Sequence, residues 1–274
     1  MLNRLAYLGP VGSYCAEAAN SLPASELVPA PSITAVFQLV AQGEAEAGVV
    51  PVENSWEGAV HQTMDMLAAS DSLSIAGEIV LPIHHLLLAR PGRKPEQLTK
   101  ILSHPQALAQ CDGFLSRACN GATRVEVAST ADGAAQVAAS DNLWGAVGSA
   151  AAAKKYNLEV IATDICDMPN NETRFLIISH TDNPVVAMGK TSLVVQAVDR
   201  PGALYQLLHE FYTRDISLTR IESRPARTRL GEYRFFIDCL GSRLDKPVGE
   251  AIKALENASV FLRVLGSYPA AKPE

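Results

Sequence analysis

The 274-residue chain reads as an α/β protein in two parts. Up to about residue 179, short apolar runs alternate with helical patterns, as expected of repeated βα units around a largely parallel sheet. A polar, turn-forming stretch at 180–189, containing Asp182-Asn183-Pro184, then breaks the rhythm. Beyond it the order is strand 191–198, helix 201–213, strands 216–222 and 231–240, helix 246–257 and strand 259–267, a βαββαβ ferredoxin-like order. This places domains at 1–180 and 190–268, with a linker at 181–189 and a tail at 269–274.

The strands expected in the first part lie at 5–8, 47–52, 75–80, 101–103, 124–127, 145–147, 160–163 and 175–179. A helix at 34–42 puts Val36, Leu39 and Val40 on one face and stops at Gly43, a residue suited to a helix C-terminus. The most apolar run, 79–89, is broken by Pro82 and carries His84 and His85. A membrane span needs about 20 apolar residues, so this run reads as a buried strand pair or connector.

Composition narrows the function. With 48% hydrophobic and 19% charged residues, the chain is globular in character. Its net charge of −6 and scattered Lys and Arg give no footprint for nucleic acid. The cysteines, Cys15, Cys111, Cys119, Cys166 and Cys239, are odd in number and form no CxxC pair. They read as reduced, buried thiols of a cytoplasmic protein, and neither a metal nor a cofactor is expected. Met1 runs directly into Leu5-Ala6-Tyr7-Leu8, with none of the basic and long apolar segments of an export signal.

Several apolar runs are followed at once by small polar residues suited to cap a helix: Gly9 to Ser13, Glu53-Asn54-Ser55, Ser103 to Gln106, and Ala128-Ser129-Thr130. Any one alone does no more than satisfy helix N–H groups. Four together suggest helix starts converging on an anion at the carboxyl ends of strands. One helix terminus contributes only about 0.3–1 kcal/mol to a nearby charge, so a basic partner would help. Arg174, just before a strongly apolar strand, is the candidate for a carboxylate fork; otherwise it is an ordinary surface arginine. No serine-hydrolase order, HExxH, P-loop or GxGxxG stands in a fitting place. His61, His84, His85, His180 and His209 are isolated and read as surface or packing residues. These features define an anion-binding cleft protein with a regulatory-looking C-terminal part, and leave the reaction open.

The segments GPVGSYCAEAA at 9–19, VPVENSWEGAV at 50–60, SHPQALAQC at 103–111, STADGAA at 129–135 and NETRF at 171–175 resemble, in order, those of the prephenate dehydratases. PGALYQLL at 201–208 and IESRP at 221–225 resemble the phenylalanine-binding ACT domain of the same enzymes. The resemblance implies a two-lobed catalytic domain similar to type 2 periplasmic binding proteins, with prephenate held between the lobes. It implies loss of CO2 and water to give phenylpyruvate, and Thr173 as the donor at the leaving hydroxyl with Arg174 and Phe175 shaping the same wall. Gly12, Ser13, Glu53, Asn54, Ser55, His104, Gln106, Thr130 and Asn171 are implied as substrate-binding. Pro201, Gly202, Ala203, Leu204, Glu222, Ser223 and Arg224 are implied for phenylalanine, the allosteric effector. A homodimer or homotetramer, formed through the ACT and catalytic domains, is the expected assembly, without nucleic-acid or membrane partners. The chain departs from the family at Ser13-Tyr14-Cys15 and at Ser217, where Asn is usual. With no room before Met1 for a fused chorismate mutase bundle, a monofunctional enzyme is expected. Arogenate dehydratase and a catalytically silent amino-acid sensor are the competing readings.

Overall fold

The computed structural model describes residues 2–185, 188–229 and 231–271, so 186–187 of the expected linker and 272–274 of the expected tail lie outside the described residues. The chain opens with β1 (Leu2–Leu8), α1 (Tyr14–Asn20), β2 (Ala24–Ala30), α2 (Ile33–Ala41), β3 (Ala47–Asn54), β4 (Gly58–Ala59), α3 (His61–Ala69) and β5 (Ser74–Pro82). It continues with β6 (Leu86–Ala89), β7 (Lys100–Ser103), α4 (Pro105–Gln110), α5 (Asp112–Ala118), β8 (Thr123–Glu126), α6 (Thr130–Ala138), β9 (Trp144–Gly148), α7 (Ala150–Tyr156), β10 (Glu159–Ala162) and β11 (Glu172–Ser179). The C-terminal part is β12 (Gly189–Ala197), α8 (Ala203–Tyr212), β13 (Leu218–Pro225), β14 (Tyr233–Leu240), α9 (Lys246–Ala258) and β15 (Ser259–Pro269). The α/β class and the βαββαβ order are those expected. Among the described residues no helix is long and apolar enough to cross a membrane.

Two compact units emerge, one of Met1–Val36, Glu53–Gly58 and Val80–Arg174, the other of Phe37–Val52, Ala59–Ile79 and Phe175–Glu274. In the first, β1 and β2 pair in parallel, and a five-stranded sheet runs β10-β6-β9-β7-β8. That sheet is mixed rather than largely parallel: β7 is parallel to β8 and β9, whereas β6 is antiparallel to β9 and β10. β6 lies between β9 and β10 and runs against both, so its direction is a property of those two pairings.

Both faces of this sheet are covered. Leu87, Ala89, Ile101 and Val147 pack with Ala107, Leu108, Cys111 and Leu115, while Leu86, Leu88, Leu102 and Ala146 pack with Ala134, Val137, Ala152 and Ala153. That burial on two faces is why β6 reads as an unbroken apolar run. Where α6 crosses β7, a Cβ on Gly133 would lie 2.7 Å from the Leu102 carbonyl oxygen, so only glycine permits the approach.

In the second unit β3, β11 and β5 lie side by side in that order, and a four-stranded antiparallel sheet runs β13-β14-β12-β15. Leu193, Val195, Ile237 and Cys239 from this sheet pack with Leu207 and Phe211 of α8 and with Val248 and Leu255 of α9. Both helices thus cover one face.

Candidate functional site

The site grows from the end of β3. Asn54 closes a side-chain turn, its Oδ1 accepting from the backbone N–H groups of Trp56 (3.0 Å) and Glu57 (3.2 Å). Because both are donors, the amide orientation is fixed, and Nδ2 must face acceptors. It donates to Asn171 Oδ1 at 2.8 Å, to the Glu172 carbonyl at 3.0 Å and to Thr173 Oγ1 at 3.0 Å. Ser55 ties the same turn to β11, donating to the Asn170 carbonyl and accepting from Glu172 N–H. No helix starts at Glu53-Asn54-Ser55, in contrast to the expected cap: α3 begins only at His61, and its N-cap Val60 makes no side-chain bond.

The fixed amides continue inward. Asn171 Nδ2 donates to Gln110 Oε1 at 2.8 Å, and His85 Nε2 lies 3.1 Å from the same oxygen. His85 is buried and its pKa falls to about 4, chiefly through burial. A neutral ring with its proton on Nε2 fits this contact, leaving Nδ1 facing the Tyr14 hydroxyl at 3.2 Å. Tyr14 is also held by the His84 carbonyl at 2.8 Å, and burial raises its pKa. The hydrogen-bonded series thus runs His85–Gln110–Asn171–Asn54–Thr173, with the Tyr14 hydroxyl beside His85 and donating to the His84 carbonyl. From sequence, Gln110 carries no expected role, Tyr14 stands only as part of the departing segment Ser13-Tyr14-Cys15, and His85 reads as a surface or packing residue. The one available signal was Gln110 standing a helical turn after Gln106.

Arg174 does not stand as a surface arginine. Its side chain is 8% exposed and pairs with Glu53, Nε to Oε1 at 3.1 Å and Nη2 to Oε2 at 3.4 Å. The expected carboxylate fork therefore already grips a carboxylate of this chain. Phe175, expected to shape the site wall, is 1% exposed and lies in the core, where its contribution is packing.

The other expected positions sit at helix starts. Ser13 caps α1 by accepting from Ala16 N–H at 3.3 Å, and His104 caps α4 through Nδ1, which accepts from Gln106 N–H at 3.3 Å. Ser129 caps α6, so Thr130 is its first helical residue. Gly12, at φ 90°, accepts at its carbonyl from Ser149, the N-cap of α7 and a residue the sequence reading passed over. Hydrogen bonds therefore join Asn54, Ser55, Asn171 and Thr173 into one cluster, while Gly12, Ser13, His104, Gln106 and Thr130 line separate helix termini.

Beside the cluster lies a cavity of about 530 Å³, lined by residues that include His84, Asp164, Cys166, Asn171 and Glu172. A hydrogen bond from the Cys111 thiol lowers the Cys166 pKa to about 6. The five cysteines are all unpaired.

In the C-terminal part Gly202 is the N-cap of α8 at φ 80°, with nothing within 4 Å of a hypothetical Cβ, so the backbone conformation and not crowding favours glycine there. Pro201 and Leu204 flank this turn, and Ala203 is buried behind it. On β13, Glu222 lies 3.7 Å from His61, and Arg224 pairs with Asp65 at 3.0 Å. Ser223 is exposed between them.

The fold and site define an α/β enzyme whose reacting-group candidates are a hydroxyl and oriented amides, followed by a small βαββαβ domain. The prephenate dehydratase family model matches residues 5–183, and the ACT domain model matches 191–257. The bifunctional chorismate mutase/prephenate dehydratase of Neisseria gonorrhoeae is 41% identical over 270 residues, covering 97% of this chain and 74% of that protein. Arogenate dehydratase 1 of Petunia hybrida is 40% identical over 289 residues, covering 97% and 66%. The crystal structure of prephenate dehydratase from Arthrobacter aurescens in complex with L-Phe superposes with a TM-score of 0.89 at 34% identity, over 99% of this chain and 92% of that one. The chain belongs to the prephenate dehydratase family, lyases of phenylalanine biosynthesis, and carries an ACT domain.

Proposed function

We propose that the cluster around Thr173 converts prephenate to phenylpyruvate, CO2 and water. As the ring carboxylate departs as CO2, its bonding electrons flow through the ring and expel the hydroxyl group, which leaves as hydroxide and takes a proton from solvent to become water. Aromatisation drives the step, so no strong base is needed. The enzyme must orient the substrate and stabilise the charge growing on the departing oxygen. Thr173 supplies that stabilisation as a hydrogen-bond donor. One observation supports this most directly: Asn54 Nδ2 donates to Thr173 Oγ1, so the hydroxyl hydrogen is left for a ligand.

In this reading residues 1–180 are catalytic, 181–189 link, and 190–268 form the regulatory domain. Gly12, Ser13, Ser55, His104, Gln106, Thr130 and Asn171 hold the substrate, and Glu53 holds Arg174. Phenylalanine is the effector, bound near Pro201 to Leu204 and Ser223, in keeping with the L-Phe complex of the Arthrobacter relative. A cytoplasmic homo-oligomer completes the proposal, in keeping with five unpaired thiols.

The Petunia relative raises arogenate as the alternative substrate. Purified protein offered each compound separately decides between them: the larger kcat/KM should be for prephenate, with phenylpyruvate as product. A larger value for arogenate, with phenylalanine as product, would reassign the substrate.

A further inference from the structure

The edge strand β13 alternates, with Leu218, Arg220, Glu222 and Arg224 half-buried and Thr219, Ile221, Ser223 and Pro225 exposed. Its inner side chains meet α3. Arg220 Nη2 lies 3.0 Å from Met64 Sδ, and His61 lies 3.7 Å from Glu222. Asp65 takes Arg224 at both oxygens, 3.0 and 3.4 Å, and Arg227 at Oδ2, 2.5 Å. His61 and Asp65 are four apart and share one helix face. At the other end of α3, Arg263 of β15 donates to the carbonyls of Leu67 (3.1 Å) and Leu73 (2.8 Å).

The same helix is tied to β3. Thr63 Oγ1 donates to the Pro51 carbonyl at 2.6 Å, and Val60 N–H to the Val52 carbonyl at 2.8 Å. Along the chain, Val52 is followed directly by Glu53 and Asn54. A rigid element gripped by the regulatory sheet on one side and bonded to the strand leading into the catalytic turn on the other has the connections a coupling element needs.

We infer that the Asp65–Arg224–Arg227 cluster carries effector occupancy from the ACT domain through α3 to the catalytic end of β3, and that Glu222 and Arg224 serve α3 and not the amino acid itself. This rests on the phenylalanine-sensitive reading above and names its route. Coupling requires a contact whose strength differs between the effector-bound and effector-free states. A carboxylate shared by two guanidiniums is such a contact, because a small shift of β13 and the turn that follows it changes both pairings together. The exposed side chains of β13, Ser223 among them, remain available for the ligand.

The test uses the full chain and measures prephenate turnover with and without phenylalanine alongside calorimetric phenylalanine binding. In Asp65→Ala, turnover without effector should stay within about two-fold of the parent and the phenylalanine Kd within about three-fold. Inhibition at saturating phenylalanine should fall from at least about five-fold to less than about two-fold. Asp65→Glu should restore it, and Arg224→Ala added to Asp65→Ala should remove nothing further. Asp65→Asn, of the same shape, keeps the experiment decisive if the alanine variant does not fold. Inhibition persisting in both Asp65→Ala and Asp65→Asn overturns the inference, and so does loss of phenylalanine binding in a folded variant, which would put Asp65 in the effector site. If the parent protein itself neither binds phenylalanine nor is inhibited by it, the underlying reading fails, and that result needs no variant.

Discussion

Replacing Thr173 by valine separates chemistry from folding. Valine keeps the branched shape and deletes only the hydroxyl. In the resting protein the loss is small, because Asn54 Nδ2 still has Asn171 Oδ1 at 2.8 Å and the Glu172 carbonyl at 3.0 Å. One hydrogen bond of this kind contributes about 1 kcal/mol, and for a chain of this size Tm should fall by only about 2–4 °C. In the transition state the loss is larger. A positioned donor to a developing oxyanion contributes about 2.7–4 kcal/mol, so kcat should drop about 10²–10³-fold with KM changed little. Initial rates of phenylpyruvate formation and a thermal melt on the same preparations give both quantities. Thr173→Ser, which keeps the hydroxyl, should hold kcat within about ten-fold. A valine variant with normal kcat and normal Tm would refute the donor role and, with it, the meaning assigned to the Asn54 contact.

Three further outcomes follow from buried and partly buried groups. Burial lowers the His85 pKa from 6.5 to about 4, so the unfolded chain binds more protons between those values; stability should be full above pH 6.5 and decline by up to about 3 kcal/mol as pH falls toward 4. His85→Gln should flatten that part of a urea-denaturation profile, and an unchanged slope would remove His85 as its source. Lys190 Nζ donates to both oxygens of Glu78, at 2.7 and 2.9 Å, with side chains 12% and 1% exposed. Lys190→Met removes the cation paired with that buried carboxylate and should cost about 3–5 kcal/mol, while adding Glu78→Gln, which still accepts from Ala271 N–H, should recover most of the loss. Finally, limiting alkylating reagent at neutral pH should label Cys166 ahead of the buried Cys15, Cys111, Cys119 and Cys239, because Cys166 combines partial exposure with a pKa near 6; peptide mapping that finds another cysteine labelled first would contradict this.

Elements with strong local patterns were legible in the sequence. The helix expected at 34–42 is α2, and Gly43 sits at φ 73° as a helix-ending glycine should. The run 79–89 resolves into the end of β5, a connector bearing both histidines, and β6. What was illegible depended on partners far along the chain. β2 was missed because Ser25, Glu26 and Pro29 interrupt its apolar pattern, which an edge strand paired only with β1 tolerates. The direction of β6 was missed because strand polarity is set by neighbours, here β9 and β10, that local periodicity does not report.

At the site the same division appears. Motif residues Asn54, Asn171 and Thr173 were legible as types, but their mutual hydrogen bonds span more than a hundred positions and exist only once β3 and β11 lie together. The sharpest difference is Arg174. A sequence shows one arginine before an apolar strand, and its charge invites a substrate carboxylate. The fold instead brings Glu53 against it, so the pair adds no net positive charge to the site. On the proposed reading, N–H groups at the starts of α1, α4 and α6 and the oriented amides then share in the capture of a doubly anionic substrate. Such donors act within the first helical turn or at hydrogen-bond distance. They reward correct placement rather than mere proximity of charge, which is what a reaction needing orientation more than a base requires.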